Sequence, residues 1–383
     1  MKKKKFLKRV IGCAVFFIML LVLWKRMNIN YNEYSDNHSY MQNEEIEEIK
    51  FPDYINEKIS DGLMFDAEVI TGDSFNPNNF YASTATILAP DGEKWKQLFG
   101  VDDTWSYDVY ETMSRAGDII DFQTYTNEEE DTLYLTSEEA LWAKDNMTFI
   151  YNILDTNEYS PRNNAQVFLE KKNLSFANQE DNLSNVLNEM EKIGINPDTL
   201  GVHYVYYLSA DRLEEQEKIK VAAGDIEESE KKASWSDADD AYYYYLDEMT
   251  QGLPVYSTKY VNDYVGNGQP QISICVSEEG IRYLSIKWYF LFDIGTNKVQ
   301  FAPIDKIKEC ITKKYGKILD DSCITVTKMK LGVYPLTIEK DRNNTIPVWI
   351  CTLERKLNDS EGIEKIYLPI NAITGEEFYD MEG

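Results

Sequence analysis

The pattern of apolar and polar residues after residue 50 predicts most of the elements of this chain. Alternation predicts strands over residues 64–72, 81–88 and 201–208. Helical spacing predicts one helix around residues 95–99 and a second over 179–193, which Gly194 can cap. Residues 104–172 mix short stretches of both patterns and predict no clear element.

Two helices are predicted in the second half of the chain. Over residues 242–249, apolar side chains recur at i, i+3, i+4 and i+7, and Gly252 and Pro254 follow them. The other helix is predicted over residues 303–319, where five apolar residues line one side. Its Asp305 lies in the first turn and lysines lie near its end, and both placements favour the helix dipole.

Strand patterns complete the second half. They cover residues 271–277, 281–293, 324–336, 346–357 and 364–372. Residues 278–280, Glu-Glu-Gly, join the first two as a hairpin. One helix packed on an antiparallel meander buries a core without parallel crossovers, so the fold class is predicted to be α+β.

A charged segment divides these elements into two predicted subdomains of antiparallel sheet packed with helices. Residues 225–240, DIEESEKKASWSDADD, contain few apolar side chains and are predicted to be an acidic linker. The first α+β subdomain then covers residues 51–224, and the second covers residues 241–383.

The first fifty residues have a different character. Residues 10–24, VIGCAVFFIMLLVLW, contain no charge and are predicted to be a transmembrane anchor. Six basic residues lie in the predicted cytoplasmic end, 1–9, and two follow the apolar run, which orients the amino end towards the cytoplasm. Residues 25–50 are polar and acidic and are predicted to be a stalk that leads to an extracytoplasmic body.

Two other interpretations of the apolar run fit less well. A cleaved signal peptide needs small residues after the run, whereas Trp24, Lys25 and Arg26 follow it. A lipoprotein needs its cysteine at the far end, whereas Cys13 lies near the start. We therefore predict an uncleaved, single-pass anchor in the cell membrane.

Net charge narrows the class of partner. The chain has 39 basic and 66 acidic residues, and eight of the basic ones lie in residues 1–26. The remaining 31 basic residues leave the rest of the chain with a formal charge of −35. Such a body repels phosphate backbones, so nucleic acid is not an expected partner. It can attract a cation or a basic protein. The alternative is that the excess of aspartate and glutamate only keeps the protein soluble.

The residues required for common catalytic sites are nearly absent. His38 lies in the stalk, so a histidine-based triad or metal site would depend on His203 alone, and His203 is more typical of a cross-strand residue. The fragments 229–232 (SxxK) and 35–37 (SDN) have the wrong order and setting for a penicillin-binding enzyme. No catalytic, cofactor-binding or metal-ligating residue is predicted, and the chain is not expected to be an enzyme.

Two clusters allow other functions. Asp237, Asp239, Asp240, Asp247 and Glu248 offer hard oxygen ligands for calcium, although an EF-hand loop would require glycine where Tyr242 stands. Tyrosines are concentrated in the segments 204–207 and 242–245, and a tyrosine-rich surface suits recognition of protein or glycan. A solvated linker and a tyrosine-wrapped core are the simpler interpretations.

Cysteine pairing is left open. The four cysteines after residue 50 are Cys275, Cys310, Cys323 and Cys351, and four cysteines allow three connectivities. Disulfides can form outside the cytoplasm, and free cysteines buried on strands are an equal alternative. None of the spacings is CxxC, which disfavours a structural zinc site.

The last eighty residues resemble a known module. Their strand 346–350 reads IPVWI, and residues 370–376 read INAITGE. This text resembles the carboxyl-terminal module of YycH/YycI-like and PepSY-like extracytoplasmic, membrane-anchored proteins of Gram-positive bacteria. In the turn, Asn371 can cap through its side chain and Gly375 can adopt a positive φ. The resemblance implies a PepSY/cystatin-like fold and a non-enzymatic role, as a membrane-tethered modulator of a sensor kinase or as an inhibitory or binding module. The four cysteines are not part of the family pattern.

These observations predict a non-enzymatic protein that is tethered to the membrane and acts by protein–protein contact. The expected partner is a membrane protein such as a sensor kinase, or a component of the cell envelope. The alternative is a surface protein that binds a glycan, a peptide or a cation through its tyrosine-rich acidic face. An enzyme with an unrecognised carboxylate site is the third hypothesis.

Overall fold

The computed structural model describes residues 48–114, 117–155, 163–256, 271–316, 323–339, 342–356 and 363–378. Residues Ile49–Gly383 form one compact unit. The predicted anchor, 10–24, and nearly all of the predicted stalk lie outside the described residues, so both stay predictions. Within the described ranges, no helix has both the length and the apolar character needed to cross a membrane.

The described residues contain sixteen strands and six α-helices, so the fold is α+β. The strands are β1 (Tyr54–Lys58), β2 (Leu63–Ile70), β3 (Tyr81–Ile87), β4 (Ser106–Met113), β5 (Ile119–Thr126), β6 (Thr132–Leu135), β7 (Glu139–Ala143), β8 (Leu200–Leu208), β9 (Ala241–Thr250), β10 (Leu253–Pro254), β11 (Ile272–Ser277), β12 (Gly280–Lys287), β13 (Phe290–Lys298), β14 (Ile324–Glu339), β15 (Arg342–Lys356) and β16 (Ile363–Asn371). The helices are α1 (Gly92–Phe99), α2 (Met147–Ile153), α3 (Ala165–Leu169), α4 (Gln179–Lys192), α5 (Ala210–Ala223) and α6 (Ile304–Tyr315).

The first sheet has seven described strands, three from residues 54–87 and four from residues 290–371. Its order is β1-β2-β14-β15-β3-β13, and β16 also pairs with β15. All of its pairs are antiparallel except β2 with β14, which is parallel. The predicted meander is confirmed in β14, β15 and β16, but strands from near residue 60 complete the sheet.

Helix α6 covers this first sheet, as the spacing over 303–319 predicted. Ile307 and Ile311 are fully buried and pack in one apolar cluster with Phe301, Leu331 and Trp349. The helix begins at Ile304 and ends at Tyr315, with Asp305 in its first turn. An amphipathic helix packed on this mostly antiparallel sheet therefore accounts for the apolar core of the carboxyl-terminal region.

The second sheet has nine strands, all from the middle of the chain. Its order is β10-β9-β11-β12-β7-β6-β5-β4, and β8 also pairs with β9. Helices cover both of its faces. Trp95, Val186 and Met190 of α1 and α4 pack on one face, and α2, α3 and α5 pack on the other.

The segment 225–240 does not separate the two sheets. It lies between α5 and β9, inside the part of the chain that builds the second sheet. Glu217 of α5 accepts hydrogen bonds from the Lys232 backbone N–H at 2.9 Å and from Trp235 Nε1 at 2.9 Å. Ile226 and Asp239 are buried. The segment that was predicted to be a linker therefore contacts the folded body. The strands on both sides of it, β8 and β9, belong to the same sheet.

The predicted helix over 242–249 is wrong, because this segment is strand β9. It pairs with β8 on one side and β11 on the other, so Tyr243 lies opposite both Tyr206 and Cys275. Both faces of β9 are buried, and the polar alternation that marks a half-exposed strand is missing. Aromatic residues favour strands, and this propensity outweighs the accidental helical spacing.

The predicted strand over 281–293 is two strands in different sheets. β12 ends at Lys287, and β13 begins at Phe290. Between them Trp288 has a φ of +51°, a left-handed conformation that breaks the extended path. The chain crosses from the second sheet to the first at this point.

Candidate partner-binding surface

Strands β4 and β5 form a hairpin at one edge of the second sheet. Ser114 closes it, because its backbone N–H donates to the Asp118 carbonyl at 2.8 Å and its hydroxyl accepts from the Asp118 N–H at 3.0 Å. Gly117 donates to the Ser114 carbonyl and has a φ of +89°, where glycine is favoured. The register is continuous from Ser106 opposite Thr126 to Met113 opposite Ile119.

Half of this hairpin extends beyond the neighbouring strand. β6 pairs only with residues 123–126 of β5. Among the residues that the structure describes, 110–113 and 119–122 therefore form a two-stranded ribbon with no third strand alongside. A two-stranded ribbon is marginally stable in water, so a strand or a surface that packs against it gains binding area without displacing other structure.

Large apolar side chains are exposed on this hairpin. The exposed fractions are 53% for Tyr107, 47% for Val109, 58% for Tyr110, 72% for Met113 and 70% for Ile119. A single exposed apolar residue is ordinary, but five on two paired strands of eight residues each form a cluster. Their clustering is typical of a binding surface.

Carboxylates stand among these apolar side chains. Glu111 lies directly opposite Asp121 in the register, and both are exposed. Like charges opposite each other on neighbouring strands destabilise a sheet. Among the described residues, no lysine or arginine forms an ion pair with Glu111 or Asp121, which share one face of the hairpin. This face of the hairpin is therefore suited to a partner that brings positive charge.

An acidic cleft of about 440 Å³ lies at the base of the hairpin. It is lined by Glu93, Lys96, Gln97, Val101, Asp102, Asp103 and Tyr125. Lys96 is the basic residue of this lining, and it already pairs with Glu93 at 2.5 Å. The hydroxyl and backbone N–H of Thr104 hydrogen-bond to Asp102 and lower the pKa of its carboxyl, so this carboxylate stays charged.

Tyrosines connect the cleft to the hairpin. The Tyr107 and Tyr125 rings lie opposite each other with centroids 4.9 Å apart. The Lys96 ammonium lies 5.5 Å from the centroid of the Tyr125 ring. Burial raises the pKa of the Tyr125 hydroxyl, so it stays protonated, and it donates to Gln123 Oε1 at 3.1 Å. The cleft and the hairpin thus form one continuous aromatic and acidic surface, here called the hairpin surface.

The sequence did not reveal this surface, because residues 104–172 gave no clear element. Two features of the sequence could have indicated it. The segment YDVYETM at 107–113 places large apolar residues on both faces of one strand, and Asp118 follows Gly117 as a turn. Strands buried on no face have no hydrophobic alternation, so the usual pattern fails there.

His203 forms a cross-strand pair, as predicted. It is the extra residue at a shift in register between Val202 and Tyr204, and its Nδ1 lies 2.7 Å from Asp247 Oδ2. A bulge turns successive side chains towards the same face, which brings His203 over the neighbouring strand. The imidazole is mostly buried and packs edge-on against the Tyr204 ring.

The five carboxylates considered for calcium do not form one site. Asp240 accepts from the Ser175 and Ala210 backbone N–H groups, at 3.2 and 2.8 Å, and Asp239 pairs with Lys232 at 3.0 Å. Of the other three, Asp247 pairs with His203, Glu248 accepts from the Phe290 N–H, and Asp237 is exposed. Over the described residues, no three histidines, cysteines or acidic residues stand close enough together to bind a metal ion.

The two tyrosine-rich segments lie mainly in the core. Exposure is 7% or less for Val205 and for Tyr206, Tyr207, Tyr242, Tyr243 and Tyr244. Only Tyr204 and Tyr245 of these segments are partly exposed, and their rings stack with centroids 4.4 Å apart. The tyrosine-wrapped core is therefore confirmed for most of these residues, and a broad tyrosine face is not formed.

The four cysteines are free thiols in different settings. Cys275 lies in the core of the second sheet, and burial raises the pKa of its thiol to about 12. Cys351 lies in the core of the first sheet, Cys310 lies on α6 beside that core, and Cys323 is exposed. Cys275 therefore lies apart from the others.

The turn that suggested a family resemblance has the predicted geometry. The Asn371 side-chain oxygen accepts from the backbone N–H groups of Ile373 and Thr374, at 2.8 and 3.1 Å. Gly375 has a φ of +71° and donates to the Asn371 carbonyl. Asn371 itself is buried, so the turn is a structural feature of the first sheet.

Comparison with known proteins shows the fold alone. No family model and no curated protein matches the chain. The chain is similar to an uncharacterized protein from Eubacterium rectale, with a TM-score of 0.58 and 17% identity over 85% of this chain and 93% of that one. The Bacillus megaterium YpeB C-terminal domain aligns with 75% of this chain and 92% of its own, with 11% identity and a TM-score of 0.28, which is too low to support a shared fold.

Proposed function

We propose that this chain is a non-enzymatic, membrane-tethered extracytoplasmic protein that acts by binding a partner protein through the hairpin surface. The observation that supports this most is the exposure of Met113 and Ile119 at the end of a ribbon that no other described strand covers. Exposed apolar side chains of this size lower solubility. A contact that buries them stabilises the complex by roughly 25 cal/mol for each Å² of apolar surface removed from water.

The predicted anchor at 10–24 adds a second reason. A tether confines the acidic body near the bilayer, which raises its effective concentration for a membrane partner. The candidate partner is a membrane protein such as a sensor kinase. The resemblance of residues 346–376 to the YycH/YycI-like and PepSY/cystatin-like module supports a modulator of this kind, since that family is implied to act without catalysis.

The proposal is tested by removing the apolar end of the hairpin. We expect the double variant Met113→Ser/Ile119→Ser in the full-length protein to lose the partner that the wild type recovers from detergent-solubilised membranes. Both side chains are mostly exposed, so the variant should fold like the wild type. Quantitative mass spectrometry of the recovered proteins is the measurement.

A matched control is available on β13. Leu291 and Ile294 are 51% and 49% exposed, so Leu291→Ser/Ile294→Ser removes a similar apolar pair from the first sheet. This variant should recover the partner at the wild-type level. Equal loss in both variants, or no loss in either, would remove the hairpin surface from the proposal.

A further inference from the structure

We infer that the partner adds an extended strand to the free edge of β4, and that this strand carries lysine or arginine between apolar residues. This inference rests on the proposed function and names the chemistry of the partner. The evidence, within the described part of the chain, is the combination of an open backbone edge, two carboxylates, Glu111 and Asp121, that form no ion pair, and exposed apolar neighbours on the same strand.

The backbone edge of β4 is open. Ser114 bonds to Asp118 across the hairpin, and bonded pairs alternate along an antiparallel ladder. The N–H and C=O groups of Tyr107, Val109, Glu111 and Met113 therefore point away from β5. Within the described part of the chain, these backbone groups form no hydrogen bond outside the hairpin, and they can pair with an added strand.

The edge also lacks the features that normally prevent strand addition. Its sequence, SYDVYETM, contains no proline and no lysine, and its register with β5 contains no bulge. Edge strands are usually short, bulged, covered or protected by such residues. β4 is eight residues long and keeps only two carboxylates as protection.

The side chains on this edge specify the added strand. Val109, Glu111 and Met113 share one face, because side chains alternate along a strand. An added strand places its own same-face residues beside them, about 4.8 Å away. A basic residue in register with Glu111 also approaches Asp121 on the next strand, and apolar residues two positions away on either side cover Val109 and Met113.

A second copy of this chain fits the edge poorly. Pairing β4 with itself would bring two copies of Asp108 and Glu111 along the same seam, with no basic residue on either strand. Each body also has a formal charge of −35 once residues 1–26 are set aside. Charge complementarity therefore favours a basic strand from a different protein.

The probe for this inference is a fluorescein-labelled synthetic peptide that repeats valine, threonine, lysine and threonine. Its valines and lysines share one face, as the edge requires. Fluorescence anisotropy with the full-length protein in detergent should show saturable binding that weakens as salt is raised. A peptide with glutamate in place of lysine should not bind.

Two changes separate strand addition from charge attraction. Val109→Pro removes an N–H that faces the open edge, where proline is tolerated, and we expect about tenfold weaker binding. Val109→Thr keeps that N–H and should bind within about twofold of the wild type. A further control uses the unmodified protein and a lysine peptide whose β4-facing backbone amides are N-methylated. This peptide keeps every charge but cannot donate those hydrogen bonds, so it should lose binding.

The carboxylates are tested separately. Glu111→Gln/Asp121→Asn should weaken binding about fivefold, as expected for two exposed charge contacts. If Val109→Pro and the methylated peptide bind as tightly as their controls, strand addition is wrong. If the glutamate peptide binds equally well, or if no peptide binds, the basic-strand inference is wrong. The proposed function fails separately, if Met113→Ser/Ile119→Ser keeps the cellular partner or if Leu291→Ser/Ile294→Ser loses it to the same extent.

Discussion

The backbone of Gly72, which follows β2, passes directly against the carbonyl of Gly252, which precedes β10. A Cβ added at Gly72 would lie 1.6 Å from the Gly252 oxygen. Gly252 is equally confined, because its φ is +82° and an added Cβ would lie 2.7 Å from the Phe75 nitrogen. The backbones of the two sheets are therefore in contact at a point where neither glycine can be replaced by a residue with a side chain.

This contact predicts a large effect of a small change. Gly72→Ala should lower the free energy of unfolding by about 3 kcal/mol or more, because backbone must move to accept the methyl group. Gly100→Ala is the control: its φ is +68° but no atom lies within 4 Å, so strain alone should cost about 1 kcal/mol. Urea unfolding measures both values, and equal effects would contradict the close approach.

Glu248 provides a second connection between the sheets. Its carboxylate accepts from the Phe290 backbone N–H at 3.0 and 3.1 Å and from Gln271 Nε2 at 3.1 Å. Burial nevertheless dominates and raises the pKa of this carboxyl well above its usual value of 4.5. The folded protein therefore holds a proton that the unfolded chain releases as pH rises past 4.5.

The sign of the pH dependence follows from this difference. A raised carboxyl pKa stabilises the fold at low pH, and that contribution is lost as pH rises from 4.5 to the folded pKa. Compared with Glu248→Gln, the wild type should lose stability over this range, by at most about 1.4 kcal/mol per pH unit. Denaturant unfolding of both proteins from about pH 4 to pH 8 measures the difference. Parallel pH profiles would show that Glu248 keeps an ordinary pKa.

The burial of β9 gives a third prediction. The Tyr244 hydroxyl donates to Asn182 Oδ1 at 2.9 Å and approaches the Gln179 carbonyl at 3.1 Å, so β9 is bonded to α4. Tyr244→Phe should cost about 1–2 kcal/mol, because buried acceptors on α4 lose their donor. Tyr107→Phe, on the exposed hairpin, should cost less than about 0.5 kcal/mol. Equal effects would contradict the burial of β9.

Local pattern predicted the elements that are half-buried. Helix α6 was predicted because one face is apolar and packs on one sheet, and the turns at Gly194 and Gly375 were predicted because their positive φ requires glycine. The observed φ values are +94° and +71°. Such features depend on neighbours within a few residues, which the sequence displays directly.

Features that depend on distant contacts were not predictable. β2 pairs with β14, so Leu63 lies beside Ile324, and no local pattern encodes a pairing between such remote segments. Helix α5 has little apolar periodicity because polar residues are buried in it: Glu217 binds the segment after the helix, and Lys220 pairs with Asp155 at 3.4 Å. The hairpin surface was missed for the opposite reason, since neither face of β4 is buried.

The most direct test of the account is photocrosslinking in cells from the hairpin itself. A photoreactive amino acid at Met113, which is 72% exposed, should form a crosslink to one membrane protein, whereas the same probe at Ile219 of α5, which is 50% exposed, should not. If the Met113 crosslink is lost when Val109→Pro is also present, the partner pairs with the edge of β4. Crosslinks from Ile219 but not from Met113 would contradict the hairpin surface as the site of contact.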